Sequence, residues 1–134
     1  MVQTNTQASQ RRGRGLMLEL FENINFMGRR IVFRGGEVAV RDARALDFND
    51  LLSSFRVQNR MNPNRVTLVL FEDINYQGDF RVFRGSQNVA DLRTINFNDE
   101  MSSFVLVARR LTNAQIRAIQ NSMRAPQGVV EIFQ

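Results

Sequence analysis

The sequence predicts an all-β fold: two copies of a four-stranded unit packed as a sandwich, with a short helix and strand appended at the C-terminus. Three observations carry this. A segment beginning at Leu18 returns at Leu68, a spacing of about 50 residues. Within each copy, apolar residues alternate with polar ones, the period of a half-buried strand. Glycine and asparagine punctuate both copies at matching places, as turns require.

The repeat is close. Phe21, Glu22, Ile24, Asn25 and Gly28 recur as Phe71, Glu72, Ile74, Asn75 and Gly78. Val32-Phe33-Arg34-Gly35 recurs as Val82-Phe83-Arg84-Gly85. After a one-residue difference in length, Phe48-Asn49-Asp50 and Ser53-Ser54-Phe55 recur as Phe97-Asn98-Asp99 and Ser102-Ser103-Phe104. Leu16, Leu18 and Leu20, then Val66, Leu68 and Leu70, mark the first strand of each unit. Turns over Asn25 to Gly28 and Asn75 to Gly78 lead into second strands over Arg30 to Phe33 and Phe80 to Phe83. Short third strands are expected around Val38 to Val40 and Asn88 to Ala90. Phe55 and Val57, then Phe104 and Leu106, alternate in the fourth. The paired phenylalanines (Phe21, Phe33, Phe48, Phe55 and their counterparts) are expected in the core between two sheets. Arg34 and Arg84 are expected to be surface cations near acids.

Composition limits the chemistry. The 134 residues are 43% hydrophobic with 11 Phe, enough for one compact domain. With His 0 and Cys 0 there is no Ser/His/Asp triad, cysteine nucleophile, disulfide or zinc site of the usual kind. Ser53 has neither a histidine nor a lysine to act as its base, so no enzyme is expected. Any metal must be held by oxygen, the ligand set of Ca²⁺.

All 18 basic residues are arginine, and the net charge is +5. The excess sits in residues 1–15 and 109–134, while 16–108 is close to balance. A phosphate reader would concentrate arginine on its folded body, so nucleic acid is an unexpected partner. No run is long enough to span a membrane, and residues 1–15 lack the apolar stretch of a signal peptide. A cytoplasmic or surface-associated protein is expected.

The chain resembles the βγ-crystallins, specifically their microbial calcium-binding branch. The likeness rests on Phe21-Glu22 followed by Phe26 and Gly28, and on Phe71-Glu72 followed by Tyr76 and Gly78. It rests further on Asn49-Asp50-Leu51-Leu52-Ser53-Ser54 and Asn98-Asp99-Glu100-Met101-Ser102-Ser103. These match a pattern of Asn or Asp twice, two free positions, Ser or Thr, then Ser. The resemblance covers about residues 16–108, with motifs over 16–58 and 66–108. It implies two Greek keys that exchange strands and a pair of Ca²⁺ ions held between the motifs. Asp50 and Asp99 would supply carboxylates, and Ser53 and Ser102 hydroxyls. Carbonyls would come from near Leu51 and Glu100, and from Glu22 and Glu72, whose side chains are expected in solvent. Asn49 and Asn98 either ligate or shape the loop. The same residue types also build Asx and ST turns, so loops that merely cap themselves are the alternative.

Residues 1–15 read as a basic polar arm. In the 109–134 extension, Thr112 or Asn113 caps a helix over Ala114 to Arg124, with Ile116, Ile119 and Met123 on one face. Pro126 and Gly128 end it, and Val129 to Phe133 form a last strand. That extension can pack on its own chain or on a neighbour. Two functions follow: a calcium-stabilised structural module, or a self-assembling coat or filament subunit that uses both ends and calcium as a lock.

Overall fold

The computed structural model describes residues 13–132. The first repeat forms β1 (Leu16–Asn23), β2 (Met27–Arg34), β3 (Val38–Val40) and β4 (Ser54–Asn59). The second forms β5 (Thr67–Asp73), β6 (Gln77–Arg84), β7 (Gln87–Val89) and β8 (Ser103–Val107). Helix α1 (Asn113–Ser122) and β9 (Val130–Ile132) follow. One sheet has the order β2-β1-β4-β7 and the other β6-β5-β8-β3-β9. Each repeat therefore lends its short third strand to the other sheet: β3 lies antiparallel to β8, and β7 antiparallel to β4. This exchange makes the two repeats one folding unit, with its core between the sheets.

The core follows the alternation. Leu18, Leu20 and Phe55 from one sheet and Leu68, Leu70 and Phe104 from the other are all fully buried. Phe33 meets Phe104 edge-on at 5.5 Å, and Phe55 meets Phe83 at 4.7 Å, so the duplicated phenylalanines pack across the sandwich as pseudo-symmetric pairs. Edge-to-face contact suits the ring quadrupoles.

The two outer faces differ, and the sequence difference behind this is simple. In β1 and β4 the outward positions hold Glu19, Phe21, Arg56 and Gln58; in β5 and β8 they hold Val69, Phe71, Val105 and Val107. Phe21 and Phe71, expected between the sheets, instead face outward, because they alternate with the inward Leu20 and Leu70. On the first sheet Glu19 pairs with Arg30 at 3.0 Å and Arg56 at 3.9 Å, and Arg56 stacks over Phe26 at 4.1 Å. On the second, the apolar face is covered by Leu111, Ile116, Ile119 and Val129 of the extension. An uncovered face of that kind would leave a large apolar area in water.

The extension docks on its own chain. Thr112 is the cap, with a reciprocal bond pair to Gln115. The helix stops at Ser122, because Met123 adopts a left-handed conformation (φ 54°). Ile116 and Ile119 are buried as expected, but Met123 is 50% exposed. Its place beyond the last helical turn removes it from the apolar face. β9 runs parallel to β3 in register Ala39↔Glu131. Tyr76, fully buried, donates its hydroxyl to Glu131 at 2.5 Å, and Arg41 lies 3.5 Å from the same carboxylate. Burial, reinforced by Glu131, pushes the Tyr76 phenol well above its ordinary value, so it stays a donor.

At the other end, Gly13 to Gly15 turn into β1 rather than extending from it. A side chain on Gly13 would meet the backbone of Gly36 and Glu37 at 2.5–2.7 Å. The rest of the arm, residues 1–12, lies outside the described residues, as does Phe133. Among the described residues no helix is long and apolar enough to cross a membrane.

Candidate metal centre

Both Asn-Asp-x-x-Ser-Ser loops sit at one end of the sandwich, each entered from a 3-10 turn. The turns over Ala43–Leu46 and Leu92–Ile95 are capped by Asp42 and Asp91, which accept from the Arg44 and Arg93 amides at 2.9 Å. Side-chain hydrogen bonds from those arginines hold both carboxyls below the usual carboxylate range. Left-handed residues at Asp47 and Asp50, and at Asn96 and Asp99, then fold each loop tightly back.

The loops are laced to each other. Asp50 N–H donates to the Met101 carbonyl at 3.0 Å and Asp99 N–H to the Leu52 carbonyl at 2.9 Å. The side chains cross in the same way: Ser53 Oγ donates to Asp99 Oδ1 at 3.1 Å, and Ser102 Oγ to Asp50 Oδ1 at 3.2 Å. Each serine hydroxyl thus lies beside the other loop's carboxylate. An open cleft of about 420 Å³ is lined by Glu22, Leu51 and Ser53 from the first repeat and by Asn98, Asp99 and Arg93 from the second, with the Arg93 guanidinium engaged by Asp91. At the pseudo-symmetric place, Ser102 N–H donates to the Phe71 carbonyl at 2.9 Å, next to Glu72, and Ser102 Oγ reaches Asp50.

The second serine of each motif does different work. Ser54 Oγ donates to the Asn23 carbonyl at 2.6 Å and accepts from Phe26 N–H at 3.0 Å. Ser103 makes the same pair with Asp73 and Tyr76, at 2.6 and 3.1 Å. These bonds hold the hairpins at Asn25-Phe26 and Asn75-Tyr76, whose four residues all have φ near +60°. Those hairpins carry Glu22 and Glu72 to the rim of the clefts. Ser54 and Ser103 thus serve the hairpins, whereas Ser53 and Ser102 reach the opposite loop's carboxylate, Ser53 also lying 3.5 Å from the Leu51 carbonyl of its own loop.

The donor set fits a hard cation. Among the described residues no three acidic, histidine or cysteine side chains converge as a metal cluster. Each site offers instead one loop carboxylate, one hydroxyl and nearby carbonyls. Two oxygens held about 2.4 Å from one Ca²⁺ at near-right angles lie about 3.1–3.4 Å apart, the separation of Ser53 Oγ and Asp99 Oδ1. Asn49 Oδ1 and Asn98 Oδ1 are buried without a hydrogen-bond partner. A buried acceptor with no donor is costly, and a cation would relieve that cost.

The sites are electrostatically unequal, by more than the Leu51/Glu100 difference seen in the motifs. Glu22 pairs with Arg29 at 3.6 Å. At the position equivalent to Arg29 the second repeat has Asp79, and at that of Asn23 it has Asp73. Partial burial, then the charges of Glu100, Asp79 and Asp73, push the Glu72 carboxyl above its ordinary value.

Similarity to known proteins agrees with this architecture. No protein-family model matches the chain. Spherulin-3A of Physarum polycephalum is 32% identical over 87 residues, covering 65% of this chain and 78% of the relative. The solved structure of spherulin 3A superposes with a TM-score of 0.53 at 29% identity, over 75% of this chain and 89% of that one. A structure bearing on the evolution of the eye lens βγ-crystallin domain fold gives 0.61 at 29% identity, over 73% and 90%. The βγ-crystallin of Ciona intestinalis gives 0.54 at 25% identity, over 66% and 95%. With the exchanged third strands, the paired hairpins and the two serine-bearing loops, this likeness shows that the chain belongs to the βγ-crystallin superfamily.

Proposed function

We infer that this chain is a structural module that binds two Ca²⁺ ions, one in each cleft, and is stabilised by them. The supporting observation is the reciprocal crossing of Ser53 with Asp99 and Ser102 with Asp50. Two oxygen donors of different loops stand at the separation of neighbouring calcium ligands, and they do so twice. Glu22 and Glu72 offer carbonyls from the hairpins, as do Leu51 and Glu100 from the loops. Asn49 and Asn98 complete the set through their unpartnered oxygens. With one loop carboxylate per site, affinity belongs in the range of about 10⁻⁶ to 10⁻⁴ M.

Such a site has no catalytic role; an ion there would tie the two repeats together at the loops. Self-assembly remains the alternative function, but β9 and α1 are engaged within the chain, which favours the module. Isothermal titration with CaCl₂ tests the reading. Two binding events in the micromolar range support it, and the absence of binding at millimolar calcium rejects it.

A further inference from the structure

The balanced charge of residues 16–108 conceals two opposite poles. Every repeat strand pair runs between the loop end and the far end of the sandwich. Acids predominate at the loop end, where Arg29, Arg44 and Arg93 also lie, while the far end carries exposed arginines and the buried Glu37. Glu22, Asp50, Glu72, Asp99 and Glu100 crowd the loop end. Arg14, Arg34, Arg60, Arg65 and Arg110 crowd the far end, and all five are exposed. Register places them together: Arg34 pairs with Met17, Arg60 N–H donates to the Gly15 carbonyl, and Arg110 reaches the Asn64 carbonyl at 3.4 Å. Among the described residues none of the five has a carboxylate partner; the ion pairs involve other arginines. Arg34 and Arg84 were expected near acids. Arg34 meets none, and Arg84 donates to the Leu111 carbonyl and the Asn113 side chain.

We propose that this arginine pole binds the phosphate backbone of double-stranded nucleic acid, independently of sequence. Arg14, Arg34 and Arg60 line one groove of about 180 Å³, of a size for a single phosphate group. Guanidinium groups suit phosphate because their planar forks donate two bonds at once. β1 alone spans about 25 Å at 3.3 Å per residue. The acidic end therefore lies several Debye lengths away at physiological salt and does not cancel the field.

No aromatic side chain is among the large hydrophobic residues exposed in the described structure, so bases have no stacking platform. That favours duplex over single strands. Met61, 68% exposed, is the one large apolar side chain exposed at this pole among the described residues. A single methionine is a poor membrane anchor, which needs a broad apolar face or a second signal. The inference does not depend on calcium, which concerns the opposite end.

The test is fluorescence anisotropy of a labelled 20-base-pair duplex with the full chain across a salt series. Binding should be strongest at low salt, and the log–log slope should correspond to about three or more phosphate contacts. Arg34→Gln with Arg60→Gln should reduce that slope by about two, since each phosphate contact contributes about one. Arg44→Gln with Arg124→Gln removes the same charge elsewhere and should change affinity less than twofold. The single variant Arg14→Gln should lower the slope by about one even if the double variant folds poorly. The proposal is overturned by no binding at 50 mM salt, or by equal losses in both double variants. It is equally overturned if phosphatidylserine vesicles or inorganic phosphate bind and the duplex does not.

Discussion

Ser53 lies within 3.1 Å of Asp99, a residue 46 positions away in the other repeat. Its own loop's carboxylate, Asp50, faces Ser102 instead. Neither proposed site can therefore be built from one motif, and substitutions should group by cleft rather than by loop. Asp99→Asn with Ser53→Ala should remove one calcium site and leave the other near its parental affinity. Asp99→Asn with Ser102→Ala should weaken both. Titration calorimetry reads the stoichiometry directly, and one surviving site in the second pair would reject the crossed arrangement.

The adjacent serines should separate in the same way. Ser103→Ala leaves the Tyr76 amide and the Asp73 carbonyl without their partner and should cost about 1–3 kcal/mol with or without calcium. Ser102→Ala should leave the chelator-treated protein almost unchanged and destabilise it only when calcium is present. Urea unfolding in calcium and in chelator distinguishes them; similar losses in chelator for both variants would contradict the assignment.

Calcium should bind in two unequal steps, the tighter in the cleft of Glu72, Glu100, Ser102 and Asp50. One additional carboxylate at about 4–8 Å in partly exposed surroundings is worth on the order of 0.5–1 kcal/mol, or two- to fivefold in affinity. Asp73 and Asp79 add to Glu100, while Arg29 works against the other cleft. Glu100→Gln should bring the steps closer and lessen the salt dependence of the tighter one. Two identical sites in the parent protein would count against this.

The acids at this end should have opposite effects on pH stability. The raised Glu72 carboxyl holds its proton more firmly in the folded chain, so its ionised form is unfavourable there. In chelator, Glu72→Gln should raise the thermal midpoint at neutral pH, with the gain fading as pH falls through the carboxylate range. Asp91 is lowered by its bond to Arg93, so its contribution is present above its unfolded value and lost as pH falls through the folded one. Asp91→Asn should lower the midpoint at neutral pH and have little effect in strong acid. Midpoints measured across pH 3–7 check both signs (carboxylates ordinarily titrate near 4); the same sign for both variants would contradict the account.

The extension should be part of the stable fold. Ile116→Ala opens a cavity beneath α1 and should cost about 2–5 kcal/mol. Removing residues 109–134 would expose Val69, Phe71, Tyr76, Val105 and Val107, and should yield a protein that binds hydrophobic dyes or self-associates. A monomeric, dye-silent truncation lacking only residues 109–134, of parental stability, would show that this face needs no cover.

Much of this was legible in the residues. Leu16, Leu18 and Leu20 marked β1 because a half-buried strand must alternate, and the duplicated Phe-Asn-Asp and Ser-Ser-Phe marked both loops. The third strands were faint, since a strand of three residues such as Gln87–Val89 has too little length to show a period. Their exchange between sheets came from family resemblance and not from any local signal. The covered face of the second sheet did leave a trace: Leu68-Val69-Leu70-Phe71 and Phe104-Val105-Leu106-Val107 are unbroken apolar runs where the first repeat alternates. Reading that contrast would have placed α1 on its own chain. The crossing of Ser53 to Asp99 left no such trace, because a contact between repeats has no signature in the spacing within either one.

Thermal unfolding of the full chain in saturating calcium and in chelator tests the central claim most directly. At calcium about 100 times the dissociation constant, each ion bound only to the native state adds about 2.7 kcal/mol. For a domain of this size, two ions should raise the midpoint by roughly 15 °C or more. Ser53→Ala with Ser102→Ala should remove most of that rise while leaving the chelator midpoint in place. An identical midpoint in calcium and chelator would contradict the account.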